Sequence, residues 1–346
     1  MKVPDTAALP SVSVLLPVYN AAKTLPAALD SLCKQTFADF EIIAVDDGST
    51  DASPDILRTA AAEDSRLCPL YLDHLGLVNA LQQGLAASQG EYVARMDADD
   101  LCHPERLEQQ LDYLRAHPEI NVVGSLVEIL STEAEREGFA RYAEWLNSLV
   151  DAQAIRRDIF VESPLAHPST MLRREELIAL GGYTDNGWPE DYDLWLRYFT
   201  AGKQFAKVPQ TLLQWRDDGK RLTRTDSRYS VENFLRAKAH YLLQGPLRDR
   251  DAVFIWGAGQ MGRRISKHLL RGGAPLVAFL DIDPKKIGAT LRGLPVHKAD
   301  ELPNLFHAHQ HPIVLAAVSS HGARPLIRAR LDDWGLVETE DYWCVA

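Results

Sequence analysis

The sequence predicts an α/β protein built from two successive sheet units, and three patterns predict it. Within the first 100 residues, short β-branched apolar runs alternate with helical stretches in a β-α-β-α-β-α-β order, the rhythm of a parallel, helix-covered sheet. Several of those runs stop abruptly at polar residues, as strands do at the ligand-bearing carboxyl edge of an open sheet. Past residue 250 a strand, a glycine-rich turn, a helix and a second strand start the pattern again. The expected layout is a first domain over 1–225, a helical linker over 226–250 and a smaller α/β domain over 251–346.

Composition narrows the function classes. A chain of 346 residues has room for two cores, and 46% hydrophobic residues, 25% charged residues and a net charge of −11 describe an acidic globular protein. Nucleic acid is excluded as an expected partner, because a phosphate backbone wants a basic stripe and none is present. The acidic balance gives no pull toward anionic lipid either, although a local patch escapes a sum over the chain and leaves peripheral membrane contact open. Cys33, Cys68, Cys102 and Cys344 lie far apart with no Cys-x-x-Cys pair, which is reduced-thiol usage rather than a disulfide or zinc framework. No run approaches the roughly 18 apolar residues of a membrane span, and the first ten residues carry no signal-peptide core. A cytoplasmic location is expected, compatible with the inner face of a membrane. The oligomeric state is left open.

The first strand, within Ser11–Asn20, is a continuous apolar run ending at Pro17, Tyr19 and Asn20. Proline lacks a ladder donor, so the sheet is expected to finish there. A helix follows over about Leu25–Lys34. The second strand starts at Phe40 and ends in Asp46 and Asp47, before a Gly-Ser-Thr turn that enters a helix near Ser53. An aromatic and a carboxylate at adjacent strand ends form a candidate base pocket, with Tyr19 against a nucleobase face and a carboxylate accepting from a ring N–H. Tyr19 as core and the aspartates as helix caps is the alternative. A third strand over Leu67–Leu72 and a helix over about Gly76–Ala87 lead to Glu91-Tyr-Val-Ala-Arg-Met-Asp-Ala-Asp-Asp100. This strand delivers Asp97, Asp99 and Asp100 together. Like charges that close repel, so the cluster wants a cation, and hard oxygen ligands suit Mg²⁺ or Mn²⁺, which would in turn hold a diphosphate. An acidic turn capping a helix is the alternative.

After the cluster, His103-Pro104 reads as the start of a helix, with His103 a loop residue rather than a ligand. Val122–Leu130 reads as a strand, and the polar stretch over 131–161 as helical. A loop and short strand follow Ser163, then a helix stopped by Gly181-Gly182. With Pro189 at a helix start, Glu190 and Asp191 fall in the first turn, while Leu194, Trp195 and Tyr198 face inward. Capping explains a carboxylate there, and so does accepting a proton from a hydroxyl that must become a nucleophile. Phe205–Gln214 is expected as a strand and Trp215–Arg224 as a basic loop.

Taken in order, Pro17-Val-Tyr-Asn20, Val45-Asp-Asp-Gly-Ser-Thr-Asp51, Gly90-Glu-Tyr-Val with Asp97-Ala-Asp-Asp100, and Pro189-Glu-Asp191 resemble the inverting family 2 glycosyltransferases of GT-A fold. The resemblance implies a nucleotide-sugar donor, a UDP-sugar first, and a glycan or lipid-linked acceptor, with bacterial surface polysaccharide assembly as a typical setting. It implies that Pro17, Tyr19, Asn20, Asp46 and Asp47 surround the nucleoside, that Asp97 lies near the ribose or diphosphate, and that Asp99 holds Mn²⁺ or Mg²⁺. Asp191 matches the family's catalytic base. The loop at Arg216 resembles the Arg-containing loop of non-processive members, although Asp217 and Asp218 stand where His is frequent. Gln82 replaces a common Asn, weakening any polar role there. The Gln-x-x-Arg-Trp signature of processive members is absent, which favours one sugar per encounter.

Beyond a connecting helix over Ser227–Gln244, Ala252–Trp256 and the Gly257-x-Gly259-x-x-Gly262 turn precede a helix. A second strand then ends at Asp281, about two dozen residues after Gly257. That is the context of a dinucleotide fingerprint and a second candidate nucleotide site. The stretch resembles small Rossmann-like sugar-nucleotide-binding domains, including Asp281-Ile-Asp-Pro and Gly293-Leu-Pro-Val296. Two other readings stand beside the transferase: an NAD-dependent oxidoreductase, which lacks a Tyr-x-x-x-Lys near the turn, and a catalytically inactive nucleotide-sugar-binding protein.

Overall fold

A computed structural model describes residues 9–131, 137–217 and 222–346. In chain order the elements begin with β1 (Val12–Val18), α1 (Leu25–Cys33), β2 (Phe40–Asp47), α2 (Ser53–Glu63), β3 (Leu67–Leu72), α3 (Leu77–Ala87) and β4 (Tyr92–Arg95). Next come β5 (Leu101–Cys102), α4 (Arg106–Ala116), β6 (Ile120–Ser131), α5 (Glu137–Ser148), α6 (Ala152–Asp158), β7 (Met171–Arg173) and α7 (Arg174–Ala179). They continue with α8 (Glu190–Thr200), β8 (Gln204–Asp217), α9 (Leu222–Thr225), α10 (Val231–Gln244), β9 (Ala252–Trp256), α11 (Gln260–Arg271) and β10 (Leu276–Asp281). The last are β11 (Thr290–Leu291), β12 (Leu294–Lys298), α12 (Leu302–Phe306), β13 (Pro312–Ala316), α13 (Ala323–Asp333) and β14 (Tyr342–Cys344). These fall into two compact units interleaved in sequence. The first comprises 1–152, 165–185 and 203–221, and the second 153–164, 186–202 and 222–346.

The first unit carries an eight-stranded sheet in the order β3-β2-β1-β4-β7-β6-β8-β5. β1 runs parallel to β2 and β4, and β2 parallel to β3, as the alternating sequence requires. β7 is antiparallel to both β4 and β6, which turns the sheet into a mixed one. The run from Val12 to Val18 is apolar on both faces because helices cover both; Val12, Val14 and Leu16 have no exposed surface. On α1, Leu25, Leu29 and Leu32 repeat at helical spacing and are buried in the same core. The register sets Val18 beside Asp46 and Asp47 beside Leu72, so the polar ends of β1, β2 and β3 share one sheet edge.

Three local expectations are corrected here. Pro17 does not end the sheet, since β1 stays paired with β2 through Val18. Its missing N–H lies on the β4 side, where pairing has already stopped at Leu15, so no ladder bond is lost. The helix expected from His103-Pro104 begins at Arg106, after a turn closed by Arg106 N–H donating to the His103 carbonyl. Trp215 and Arg216 are strand rather than loop, because β6 is long enough to pair them with Ile129 and Leu130. Of the rest of that expected loop, Asp217 is strand as well, Leu222–Arg224 belong to α9, and 218–221 lie outside the described residues.

The second unit carries a six-stranded sheet in the order β11-β12-β10-β9-β13-β14, parallel from β12 to β14 and closed at one edge by the β11–β12 hairpin. Its core includes Phe254, Phe279, Leu269 and Trp343. Lys238 in the same unit is buried, its Nζ donating to the carbonyls of Val161 and Val345, and burial holds its pKa below the ordinary lysine value.

Candidate active site

At the carboxyl ends of β1 and β2 the chain ties two loops together. Asn20, at φ 50°, donates its N–H to Ser49 Oγ at 2.8 Å and accepts from Thr50 N–H at 2.9 Å on Oδ1. Tyr19 is 48% exposed and stacks on His74, ring centroids 4.1 Å apart and 13° from parallel. His74 Nδ1 lies 2.8 Å from Asp47 Oδ2, and the two Asp47 oxygens also accept from Leu75 and Gly76 N–H at 2.9 Å each. Asp47 thus fastens the end of β2 to the loop before α3. Gly48 between these partners sits at φ +71°, and a Cβ there would meet His74 N at 2.8 Å. Asp46 is 3% exposed; Oδ2 accepts from Ser49 N–H at 3.2 Å, while Oδ1 has no hydrogen-bond partner among the described residues. A buried acceptor of that kind favours a ligand donor.

The end of β4 supplies the acidic cluster. Asp97, Asp99 and Asp100 each present a carboxylate oxygen within 4.8 Å of the others. The buried Arg95 guanidinium lies 2.6 Å from Asp97 Oδ1. Asp100, also buried, accepts on Oδ1 from Arg216 N–H at 2.7 Å, and Arg216 Nε donates to the Asp99 carbonyl at 2.7 Å. β8 therefore brings Arg216 to the cluster as a brace on its turn. Three hard oxygen donors of like charge, converging from one short turn, suit an octahedral Mg²⁺ or Mn²⁺ that keeps part of its water. Tyr19, Asp46, Asp47, Asp97, Asp99, Asp100 and Arg216 all belong to the first unit, with Pro17 in β1 opposite Val45.

Asp191 belongs to the second unit, on the first turn of α8. Burial, and after it the negative charge of Glu190, push its carboxyl up to about 8. Glu190 is buried and accepts from the Tyr229 hydroxyl at 2.6 Å. Two residues on, Asp193 has no exposed surface and accepts from Trp188 Nε1 at 2.6 Å, the Tyr241 hydroxyl at 2.7 Å and Arg197 Nε at 2.8 Å. Sequence reasoning missed Asp193, Tyr229 and His74. The Asp193–Arg197 spacing of four on one helix is the signal that points to the first; Tyr229, on a short 3-10 turn, and His74, on a loop, reach partners distant in sequence and leave none. Gln82, where a weakened polar role is expected, accepts from Tyr183 N–H at 2.9 Å. Gly257, Gly259 and Gly262 form the turn from β9 into α11, and Asp281 ends β10, accepting from Ala258 N–H at 2.9 Å.

Residues 13–181, which include β1 to β4 and the acidic cluster, fit the profile described as glycosyl transferase family 2. The amylovoran biosynthesis glycosyltransferase AmsE of Erwinia amylovora is 35% identical over 210 residues, spanning 59% of this chain and 75% of that protein. EpsE of Bacillus subtilis is 30% identical over 295 residues, 84% of this chain and 99% of its own length. Among solved structures, S. aureus TarS 1–349 in complex with UDP-GlcNAc superposes with a TM-score of 0.55 at 18% identity, covering 75% of this chain and 72% of that one. The mannosyltransferase PcManGT from Pyrobaculum calidifontis, in complex with GDP-Man and Mn²⁺, gives 0.50 at 20% identity over 79% and 73%. These likenesses show the GT-A fold, and the second sheet gives a smaller second α/β domain. Among the described residues no helix is long and apolar enough to cross a membrane. With a relative matched along nearly its whole length, and with the aspartate-bearing strand ends inside the matched stretch, this chain belongs to glycosyl transferase family 2.

Proposed function

We propose that the chain moves one sugar, with inversion, from a nucleotide-sugar donor, a UDP-sugar first, to a hydroxyl of a glycan or lipid-linked acceptor. The observation that carries this reading is the three-aspartate cluster at the same sheet edge as the Asp46 carboxylate with its unmet buried oxygen. Asp46 Oδ1 suits a ring N–H of the nucleobase, and the exposed face of Tyr19 suits its π-surface. Asp97, Asp99 and Asp100 would hold Mg²⁺ or Mn²⁺. Such an ion supplies positive charge against a departing nucleoside diphosphate. Asp191 accepts the proton of the acceptor hydroxyl, and a single displacement inverts the anomeric carbon.

The names of the relatives support the setting: AmsE in amylovoran biosynthesis, TarS with UDP-GlcNAc, PcManGT with GDP-Man and Mn²⁺. Bacterial surface polysaccharide assembly in the cytoplasm, at the inner membrane face, is the corresponding role. The test is a thermal-shift panel of UDP-, GDP- and dTDP-sugars with Mn²⁺, followed by sugar transfer with the best binder. Stabilisation by one nucleotide sugar, lost with EDTA, is expected; a panel without a shift would overturn the reading.

A further inference from the structure

The second sheet reverses direction at β9: the chain passes from β9 to β10 on one side, and later returns to β13 on the other. In open α/β sheets the crevice outside the carboxyl ends of strands at such a reversal is where ligands bind. A cavity of about 510 Å³ lies there, lined by the β9–α11 turn, the end of β10 around Asp281, the segment after β13 and one side of α13. That volume is in the range of small-molecule sites.

The three glycines of the turn answer to different causes. Gly257 has φ +118°, and a Cβ on it would strike Val318 at 2.8 Å. At Gly262 a Cβ would lie 1.8 Å from the Gly257 carbonyl, so α11 could not pack on the turn. Neither fact needs a ligand. Gly259 is different: its φ of −83° suits any residue, among the described residues no atom beyond its chain neighbours lies within 4 Å of its would-be Cβ, and it lines the cavity. Packing gives no reason for a glycine there, whereas close approach of a ligand to the backbone does.

Asp281 supplies the polar anchor. Burial opposes its charge, but hydrogen bonds from Asp283 N–H, Ala258 N–H and Lys286 hold its carboxyl below the ordinary value. Among the described residues only Asp283 N–H, at 2.9 Å, donates to Oδ1, so that oxygen retains capacity for a further donor. Lys286 Nζ, 3.1 Å from Asp281 Oδ2, supplies a cation at the lining, and Ile282 and Leu326 place exposed aliphatic surface in it, 77% and 73% accessible.

We propose that this cavity binds a nucleoside diphosphate group. A ribose hydroxyl donates to Asp281, phosphate lies against the Gly257–Gly259 turn and the start of α11, and the base rests on Ile282 and Leu326. The residues of this site all belong to the second unit, and the proposal does not rest on the donor-site assignment.

The full-length protein is titrated with NADH and with UDP in EDTA, and hydrogen exchange is followed over 257–263 and 281–286. One or both ligands slow exchange there, and Gly259→Leu, whose Cβ has open space and whose side chain starts from the cavity lining, weakens that binding about tenfold or more. Ile282→Glu, at an exposed position, does the same and serves if Gly259→Leu does not fold. Asp99→Asn leaves it unchanged. Protection by NADH alone identifies a dinucleotide, by UDP alone a uridine nucleotide, and by both the shared group. Absence of protection with either ligand, wild-type affinity in the substituted proteins, or loss of binding through Asp99→Asn overturns the proposal.

Discussion

The Tyr229 hydroxyl donates to Glu190 Oε2 at 2.6 Å, one residue before Asp191 on α8. Burial, and after it the charge of Glu190, pushes Asp191 up to about 8. A general base works only when ionised, so transfer is expected to rise with pH through about 8. Glu190→Gln removes the like charge and leaves burial. The rising limb of its pH profile in kcat/KM should therefore move to lower pH, still above the ordinary aspartate value of 3.8. Superimposable limbs for the two proteins would take Asp191 out of the role.

Asp191→Asn is expected to lower kcat by about 10²- to 10⁴-fold, the usual worth of a positioned base, with donor affinity by calorimetry nearly unchanged. The same substitution has a stability signature of fixed sign. The folded chain keeps the Asp191 proton up to about 8, whereas the unfolded chain releases it near 3.8. Wild-type stability contributed by this group is thus complete below about pH 4 and is lost as pH rises toward 8. Melting temperatures of the Asp191→Asn protein relative to wild type should climb across that window. A constant difference from pH 5 to 9 would contradict the raised carboxyl.

Asp99 offers its side chain to the cluster while its carbonyl accepts from Arg216 Nε at 2.7 Å. Asp99→Ala removes the first and keeps the second, so the turn should hold its shape. Donor binding with Mn²⁺ is expected to weaken by about tenfold or more, and to lose the sensitivity to EDTA that wild type shows. Titration of nucleotide sugar with and without Mn²⁺ checks both. Equal metal dependence in the two proteins would move the ion elsewhere.

The strand ends of the first unit were legible because each is a continuous apolar run cut off by aspartate or by Pro-Val-Tyr-Asn, and parallel strands buried on both faces leave that mark. β7 is the short strand expected after Ser163, but its three residues carry no mark of its antiparallel place between β4 and β6. Arg216 reads as loop because its neighbours are Asp, Gly and Lys, and only the length of β6 makes it strand. In the site, Asp97, Asp99 and Asp100 announce themselves by spacing in one turn. The link from Tyr19 through His74 to Asp47 does not, since it closes across three loops whose positions the sheet decides.

His74→Ala should test that link. The ring is stacked on Tyr19 and its Nδ1 approaches Asp47, so its removal leaves Tyr19 unsupported on one face. An aromatic pair of this kind is worth about 0.5–1.5 kcal/mol beyond its buried area, which corresponds to a rise in donor KM of about two- to tenfold. kcat should change little, because the nucleoside end takes no part in bond breaking. A fall in kcat at unchanged KM would show that His74 serves the chemistry instead.

Gln82 lies on α3, and its Oε1 accepts from Tyr183 N–H at 2.9 Å, just past the left-handed pair Gly181 and Gly182 that ends α7. The side chain therefore pins the connection leaving α7 to the helix that covers β1 and β2. A Gln82→Ala substitution removes the acceptor, and an unmatched N–H in a half-buried turn costs about 1–3 kcal/mol. For a protein of this size each kcal/mol moves the melting temperature by roughly 2–4 °C. Gln82→Asn is one methylene shorter and cannot reach Tyr183 without moving the turn, so it should recover only part of the loss. Measured by calorimetry, the order wild type, Gln82→Asn, Gln82→Ala is expected. Asn matching or exceeding Gln in stability would mean that the turn adapts to the shorter side chain and that the 2.9 Å contact does not fix its position.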